Sequence, residues 1–428
     1  MKKLITVIFC LSLLVPAGPI AAEAVNAKTL MREFDPVVVS GRSCGLTGGP
    51  LAGYNLYAFK EDRLFPIPFQ IDEKDDAGRF VLRCGRLAAV DQDTSFDDND
   101  ELVFMARDAG DKCCDPALLP PGIKACMELK ITDPATMDKA WAYLTIEDGE
   151  QTRSPVDYVV YSDDPPSFAT RNYSGRYDAD HPVGASQYAF EQGLGGNGQD
   201  FIDRIKVRLV MGSMGVRLHR SEEDIKVKAL GYLDGPVRAI AYSENVTPLV
   251  LGIPASTTRQ YTYYYNHFAD FALAASFPLR PGFFRAIVID DFKDARGWIF
   301  YNSNNPDGHV IDGKTDEADR QLDRSPWTWS ALSSDRQCFW SVWRAPSGCP
   351  VKASLYFNDD AAAEDPREDD PGELPGIGFD FNTGWDRLET DSLELRLLHF
   401  YTPAYERGME TRVRNVIDYP LTVTATIF

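Results

Sequence analysis

The residues best suited to proton chemistry lie in the segment RQYTYYYNHFADF, residues 259–271. Alternate side chains of an extended strand project to the same face. One face of this segment would therefore carry a row of five residues: Arg259, Tyr261, Tyr263, Tyr265 and His267. β-Elimination from a uronate needs a base, an acid and groups that stabilise an enolate-like intermediate, and these residue types can supply all three.

The residue types in this row predict a separate role for each side chain. Arg259 would hold the substrate carboxylate bidentately, and Tyr261 would bind the sugar. The other predicted catalytic residues are Tyr263, Tyr265 and His267. A neighbouring arginine would favour a phenolate and so lower the pKa of a tyrosine. The alternative is an aromatic strand buried under another sheet, because β-propensity alone favours tyrosine.

Four of the seven tryptophans lie between residues 327 and 343. In an extended chain Trp327 and Trp329 share a face, and exposed indole rings stack well on sugar rings. These two tryptophans are therefore predicted to bind substrate. The alternative is core packing, which is favoured for Trp340.

Two acidic clusters follow segments that read as strands. The first contains Asp72, Glu73, Asp75 and Asp76. In the second, the predicted calcium ligands are Asp91, Asp93, Asp97, Asp98 and Asp100, because Ca²⁺ prefers a shell of oxygen ligands. Phe96 and Leu102 stand where an EF-hand loop needs glycine and glutamate, so the segment is not an EF-hand. The alternative is a solvated turn, and we expect the two clusters to lie near each other.

His309 lies among four aspartates in NPDGHVIDGKTDEAD, residues 305–319. Histidine with carboxylates can bind a divalent metal. The PDG sequence is also an ordinary turn signal, and the turn is the favoured interpretation.

The start of the chain has the pattern of a secretory signal peptide, residues 1–24: two lysines, an apolar run and small residues. The pattern predicts a bacterial periplasmic or extracellular protein. No other apolar run approaches the length of a membrane span, so no membrane insertion is expected. With a net charge of −20, nucleic-acid and anionic-membrane partners are disfavoured as well.

Seven cysteines follow the predicted signal peptide, and an oxidising compartment would pair them. The predicted bridges are Cys338–Cys349, Cys44–Cys84, and Cys126 with either Cys113 or Cys114. No haem-attachment motif is present, and neither a haem nor a nucleotide is indicated.

Strand-like runs bounded by Gly, Pro and Asp dominate the sequence. In one of them Ile205, Val207 and Leu209 would face one way and Lys206 and Arg208 the other, as in a half-buried antiparallel strand. We predict an all-β protein: a smaller N-terminal β-domain over 28–165 and a larger antiparallel, supersandwich-like β-sandwich over 170–428. An acidic, Pro/Gly-rich loop over 358–378 is predicted to be mobile.

Three motifs carry a resemblance to a known group of proteins: FPIPFQIDEKDD, NDELVFMARDAGD and DGPVRAIAYSE. They resemble secreted bacterial all-β proteins that are loosely similar to mutarotase-like and polysaccharide-lyase-type carbohydrate-active sandwiches. The resemblance covers about half the chain and transfers no site residue. It implies work on carbohydrates.

Two functional hypotheses follow. In the first, the chain binds or cleaves an extracytoplasmic polysaccharide, with lyase chemistry as one version. In the second, it is a non-catalytic, calcium-stabilised periplasmic or cell-surface protein that binds other proteins. A cleft lined by the Tyr261–His267 face would favour the first, and complete burial of that face would favour the second.

Overall fold

The computed structural model describes eight stretches of the chain: 26–87, 94–148, 152–177, 187–213, 216–248, 254–276, 283–360 and 375–428. Within them the chain forms 27 β-strands and three short α-helices, so the all-β prediction is confirmed. The helices are α1 (Gly41–Cys44), α2 (Glu317–Gln321) and α3 (Met409–Asp418). None of the helices in these stretches is long and apolar enough to cross a membrane.

The smaller sandwich consists of two antiparallel sheets that face each other. The three-stranded sheet has the order β1 (Pro36–Ser40), β6 (Glu101–Met105) and β4 (Phe69–Asp72). The five-stranded sheet has the order β27 (Thr422–Ile427), β7 (Ile123–Thr132), β8 (Lys139–Glu147), β2 (Tyr54–Lys60) and β3 (Arg63–Pro66). Leu56, Phe104 and Leu129 are fully buried between the sheets, and their removal from water stabilises the sandwich.

A ten-stranded antiparallel sheet forms one layer of the larger sandwich. Its order is β21 (His309–Val310), β20 (Ile299–Asn302), β22 (Trp329–Ser333), β23 (Gln337–Arg344), β26 (Ser392–Pro403), β18 (Phe268–Ser276), β17 (Pro254–Tyr264), β16 (Ala239–Pro248), β15 (Lys226–Leu233) and β5 (Cys84–Gly85). Strand β5 comes from the N-terminal part of the chain.

A nine-stranded antiparallel sheet forms the other layer. Its order is β24 (Lys352–Asn358), β25 (Gly376–Thr383), β19 (Phe283–Phe292), β13 (Asp200–Ser213), β12 (Gln187–Phe190), β11 (Tyr173–Arg176), β10 (Pro166–Thr170) and β9 (Val159–Asp163), with β14 (Val216–Ser221) also paired to β13. The two large sheets enclose the main core, which includes Phe271, Phe379 and Tyr401. This arrangement is the predicted large antiparallel sandwich.

Strand β13 shows how the sequence pattern becomes structure. Ile205 and Leu209 are buried in the main core and Val207 packs against it, as the alternation predicts. On the opposite face Lys206 is not solvated: it is fully buried, with its Nζ 2.7 Å from Asp291 Oδ2. The polar face of this strand is therefore covered rather than open.

The two sandwiches are not separate in sequence. Strand β9, which lies before residue 165, belongs to the nine-stranded sheet of the larger sandwich. Strand β27, at 422–427, pairs with β7 of the smaller sandwich, from Thr422–Thr132 to Ile427–Met127. The predicted domain boundaries stay a prediction. The predicted signal peptide and residues 361–374 of the acidic loop lie outside the described residues.

Candidate functional site

The predicted tyrosine row exists on β17 and its continuation. Tyr261 and Tyr263 lie on the face directed away from the main core, with ring centroids 6.3 Å apart, and Tyr265 extends the row. Tyr264 points the other way and stacks on Phe168 at 4.1 Å. The side-chain parity is the one that the sequence predicts.

The inner end of the row is covered by N-terminal residues. Phe34 packs edge-on against His267 at 5.1 Å, and Phe80 packs edge-on against Tyr263 at 6.0 Å and against one side of Tyr261 at 5.5 Å. Tyr265 is only 3% exposed and His267 only 8% exposed. The expectation that Tyr265 and His267 line an open cleft is therefore wrong, because the N-terminal part of the chain packs over them.

His267 is held as a neutral ring. Its Nε2 lies 3.3 Å from Arg107 Nη1, and its Nδ1 lies 3.2 Å from Asn172 Nδ2. Phe34 packs edge-on against the imidazole at 5.1 Å. Burial and the positive charge of Arg107 lower the pKa of His267 to about 4, so the ring does not gain a proton near neutral pH.

Tyr265 does not have the lowered pKa that a base would need. Its hydroxyl oxygen accepts a hydrogen bond from Arg238 Nη1 at 3.0 Å. Burial nevertheless raises the pKa of Tyr265, and the favourable charge of Arg238 does not offset it. The prediction that a neighbouring arginine lowers the tyrosine pKa is therefore wrong for Tyr265.

Arg238 is the centre of a buried polar cluster that sequence reasoning missed. Its Nε donates to Asp72 Oδ2 at 2.8 Å, and its Nη2 donates to Glu101 Oε2 at 2.5 Å. Its backbone N–H donates to Gln70 Oε1 at 2.9 Å. We call Gln70, Asp72, Glu101, Arg238 and Tyr265 the arginine network.

The arginine network takes residues from all three sequence motifs. Gln70 and Asp72 come from FPIPFQIDE, Glu101 from NDELVF, and Arg238 from DGPVRA. Arg238 is 3% exposed and Asp72 is 1% exposed. Burial raises the pKa of Glu101, but Arg238 and Lys74 more than offset it, so this pKa lies below its usual value. The network joins the N-terminal sandwich to the large sheet.

The outer end of the row opens into a cleft of about 680 Å³. Its aromatic and charged lining residues are Arg79, Tyr242, Glu244, Arg259, Tyr261, Arg344, Glu394 and Arg396. We call this the tyrosine–arginine cleft. Of the predicted row, Arg259 and Tyr261 reach it.

Two tyrosines of neighbouring strands form the aromatic wall of this cleft. The rings of Tyr242 and Tyr261 lie 4.6 Å apart at 44°. The Tyr242 hydroxyl donates to Glu244 Oε1 at 3.0 Å, and Arg259 Nε lies 3.7 Å from the same oxygen. Burial and the negative charge of Glu244 raise the pKa of Tyr242 to about 12, so this hydroxyl stays protonated and acts as a donor.

The guanidinium groups of the cleft are held by carboxylates behind them. Arg396 forms a bidentate pair with Asp270, and Arg344 pairs with Asp418. These pairs fix the orientation of the remaining N–H groups before any ligand arrives. Aromatic faces beside oriented donors and carboxylate acceptors suit a ring-shaped ligand rich in hydroxyls.

The predicted tryptophan platform is wrong. Trp327 is 1% exposed and stacks on Phe379 in the main core at 4.2 Å. Trp329 is 5% exposed and packs near Trp340 in a separate cluster. Because both rings fill cores, neither offers a face to a sugar.

The two acidic clusters lie together, as predicted. The backbone N–H of Lys74 donates to Asp100 Oδ1 at 2.8 Å. The side-chain amide of Asn99 donates to the carbonyl of Asp75 at 2.9 Å. The carboxylates are thus held by hydrogen bonds between the two loops.

The calcium site stays a prediction. Asp91 and Asp93 lie outside the described residues. Asp97 accepts from the N–H of Asn99, and Asp98 pairs with Arg42 at 3.4 Å. Among the side chains that the structure describes, Asp97, Asp98 and Asp100 do not form a group with converging ligand atoms.

The predicted disulfides are not formed. All seven described cysteines are free thiols: Cys44, Cys84, Cys113, Cys114, Cys126, Cys338 and Cys349. Cys338 is fully buried in the cluster around Trp340, whereas Cys349 packs against the main core. Proximity in sequence failed here because the two side chains enter different cores. Cys113 and Cys126 do share one small apolar cluster.

The comparisons with known proteins rest on structure alone. No protein-family model matches the sequence, and no curated protein gives a significant match. An α-mannosidase from Enterococcus faecalis V583 matches with a TM-score of 0.51 and 8% identity, over 94% of this chain and 45% of its own. This chain therefore spans about half the length of that protein.

Two further structures match with lower scores. A glycosyl hydrolase family 38 protein from Enterococcus faecalis has a TM-score of 0.49 at 8% identity, over 94% of this chain and 47% of its own. A putative aldose 1-epimerase from Klebsiella pneumoniae has a TM-score of 0.34 at 11% identity, over 68% and 94%. The first match shows a shared fold. The expected likeness to carbohydrate-active sandwiches thus holds at the level of the fold.

Proposed function

We propose that this chain binds an extracytoplasmic carbohydrate in the tyrosine–arginine cleft. The observation that carries the proposal is the wall formed by Tyr242 and Tyr261, flanked by Glu244 and Arg259. The C–H faces of a sugar ring pack against aromatic faces. Sugar hydroxyls can donate to the carboxylate and accept from the guanidinium group, which fixes the orientation of the ring.

The surroundings of the cleft support this class of ligand. The chain has a net charge of −20, yet four arginines and two glutamates line the cleft. An acidic sugar can therefore approach it, and a uronate is the acidic class with the matching group for Arg259. The fold shared with an α-mannosidase and the signal-peptide pattern are consistent with a carbohydrate outside the cytoplasm.

In this proposal the chain binds the carbohydrate, and the tyrosine row does not carry out β-elimination. Tyr265 and His267 lie under the N-terminal residues, and their pKa values are shifted away from those of a base near neutral pH. Neither residue is among those that line the cleft. The lyase version of the hypothesis would need other residues.

The test is binding of the purified chain to a panel of neutral and uronate-containing oligosaccharides, measured by titration calorimetry. Tyr261→Ala should weaken binding about tenfold, or about 1.4 kcal/mol. Arg259→Ala should weaken uronate binding more than binding of neutral sugars. The matched controls, Tyr419→Ala and Arg336→Ala, change exposed side chains elsewhere and should bind like the wild type.

Three results would contradict the proposal. The first is that the wild type binds no member of the panel. The second is that Tyr261→Ala binds with the same affinity as the wild type. The third is that the control variants lose as much affinity as the cleft variants. Release of unsaturated uronate products would overturn the restriction to binding.

A further inference from the structure

A second group of chemically active side chains lies at the far edge of the ten-stranded sheet. His309 is on β21, Asp319 is in α2, and Asp359 directly follows β24 of the opposing sheet. One ligand atom from each lies within 4.8 Å of the other two. His309 Nε2 is 2.7 Å from Asp319 Oδ1. We call these three residues the histidine–aspartate cluster.

The two carboxylates of this cluster are buried, and no lysine or arginine of the described residues forms an ion pair with them. Asp319 is 4% exposed and Asp359 is 2% exposed. Among the ion pairs of the described residues, Asp319 is paired only with His309, and Asp359 takes part in none. Burying two like charges together is costly unless a cation neutralises them. Burial, together with the nearby Asp319 and Asp312, raises the pKa of Asp359 to about 6.

Backbone groups orient the carboxylates. The N–H groups of Asp312 and Gly313 donate to the two oxygens of Asp359, at 2.9 and 3.2 Å. The N–H of Asp316 donates to Asp319 Oδ2 at 2.7 Å, which leaves Oδ1 directed at His309. Such hydrogen bonds from outside a ligand set fix the direction of its lone pairs. The cluster therefore resembles an oriented set of donors more than a solvated acidic turn.

We propose that His309, Asp319 and Asp359 bind one divalent transition-metal ion, with Zn²⁺ as the best fit. One imidazole nitrogen with two carboxylate oxygens is a donor set for Zn²⁺, whereas Ca²⁺ prefers oxygen alone. The ion replaces the hydrogen bond between His309 and Asp319, so His309 Nε2 must carry no proton. The bound ion neutralises the buried carboxylates and ties a strand, a helix and the end of β24 together.

The metal site is independent of the carbohydrate proposal. None of its three ligands lines the tyrosine–arginine cleft. The ion is therefore expected to stabilise the large sandwich at this edge, and sugar affinity should not change when it is removed.

The experiment uses the full chain after dialysis against a chelator, followed by titration with Zn²⁺, Mn²⁺ and Ca²⁺ in separate arms. Elemental analysis should find one Zn²⁺ per chain, and the melting temperature should rise with Zn²⁺. His309→Gln and Asp359→Asn should each lower Zn²⁺ affinity about a hundredfold or more. The matched controls, His219→Gln and Asp335→Asn, change exposed residues and should keep wild-type affinity.

Cobalt adds a spectroscopic readout whose wild-type part requires no variant to fold. Co²⁺ bound by the wild type should show a visible ligand-field spectrum that Zn²⁺ displaces, and His309→Gln should not show it. The proposal is overturned if the wild type binds neither Zn²⁺ nor Co²⁺, or if His309→Gln binds Zn²⁺ like the wild type. Binding of Ca²⁺ alone would also overturn it.

Discussion

The arginine network and the histidine–aspartate cluster each bring two carboxylates close together, but the groups that face these carboxylates differ. In the arginine network, Asp72 and Glu101 share the guanidinium group of Arg238. In the histidine–aspartate cluster, Asp319 pairs with an imidazole, and no lysine or arginine of the described residues pairs with Asp319 or Asp359. Within the described stretches, the first group therefore contains its own guanidinium cation and the second does not. The difference separates a structural joint from the proposed metal site.

The largest effect is expected from removing the cation of the arginine network. Arg238→Met leaves Asp72 buried without its cation, whereas Glu101 keeps its pair with Lys74, and the change should lower the free energy of unfolding by about 3–5 kcal/mol. Urea unfolding followed by tryptophan fluorescence measures this loss. Arg336→Ala, at a side chain that is 77% exposed, is the matched control and should change stability by less than about 0.5 kcal/mol. A loss below about 1 kcal/mol for Arg238→Met would show that the two groups do not differ as described.

Removing a charge from the metal-free histidine–aspartate cluster should raise the free energy of unfolding, whereas Arg238→Met lowers it. The folded-state pKa of Asp359 is about 6, above its ordinary value of 3.8, so the metal-free folded state binds more protons than the unfolded state between these pH values. The stability contributed by this group therefore falls as pH rises from about 4 to about 6. Relative to Asp359→Asn, the metal-free wild type should lose ~2 kcal/mol across this window, because one pKa unit corresponds to about 1.4 kcal/mol.

Urea unfolding at pH 4, 5, 6 and 7 measures this difference. With saturating Zn²⁺ the wild type should recover the lost stability at pH 7. If both proteins show the same pH dependence without metal, Asp359 does not carry a buried, unneutralised charge.

A smaller effect is expected at the edge of the arginine network. Tyr265→Phe removes the oxygen that accepts a hydrogen bond from Arg238 and should cost about 1.5 kcal/mol of unfolding free energy, which is typical of a hydrogen bond to a charged group. Carbohydrate binding should be unchanged, because the hydroxyl lies beneath the N-terminal residues. A loss of sugar affinity without a loss of stability would return Tyr265 to the list of catalytic candidates.

The smallest effect is expected where the carboxylate is solvated. Asp98 pairs with Arg42 at 3.4 Å, and the two side chains are 59% and 80% exposed. Asp98→Asn should therefore change the free energy of unfolding by less than about 0.5 kcal/mol. A change above about 1 kcal/mol in a matched urea titration would contradict this and would point to a structural role for the second acidic cluster.

Local patterns predicted the parts of the fold that depend on neighbours in sequence. The alternation of Ile205 and Leu209 and the parity of Tyr261 and Tyr263 follow from the geometry of one strand. The same patterns could not predict what covers each face. The alternation places Lys206 on the polar face of its strand, where it would be exposed. Instead, Lys206 pairs with Asp291 of β19, and both side chains are buried.

The candidate sites depend on contacts between residues far apart in sequence. Phe80 covers the tyrosine row from about 180 positions away. Asp359 meets His309 only because β24 and β21 end at the same edge of the sandwich. Arg259 and Tyr261 both line the tyrosine–arginine cleft, and their shared face could be predicted because β17 alone positions them. His309 and Asp319 lie in one short segment, where the PDG sequence favours an ordinary turn, and Asp359 lies 40 positions beyond Asp319.

The pairing of β27 with β7 sets an order for assembly during synthesis. Residues 123–132 leave the ribosome roughly 290 positions before residues 422–427, which complete their sheet. Until then one edge of β7 has free backbone N–H and C=O groups, and such an edge invites pairing with other chains. The N-terminal sandwich is therefore expected to be completed only after residues 422–427 are made, although its other strands are made much earlier, and protecting the open edge until then is a task suited to a chaperone.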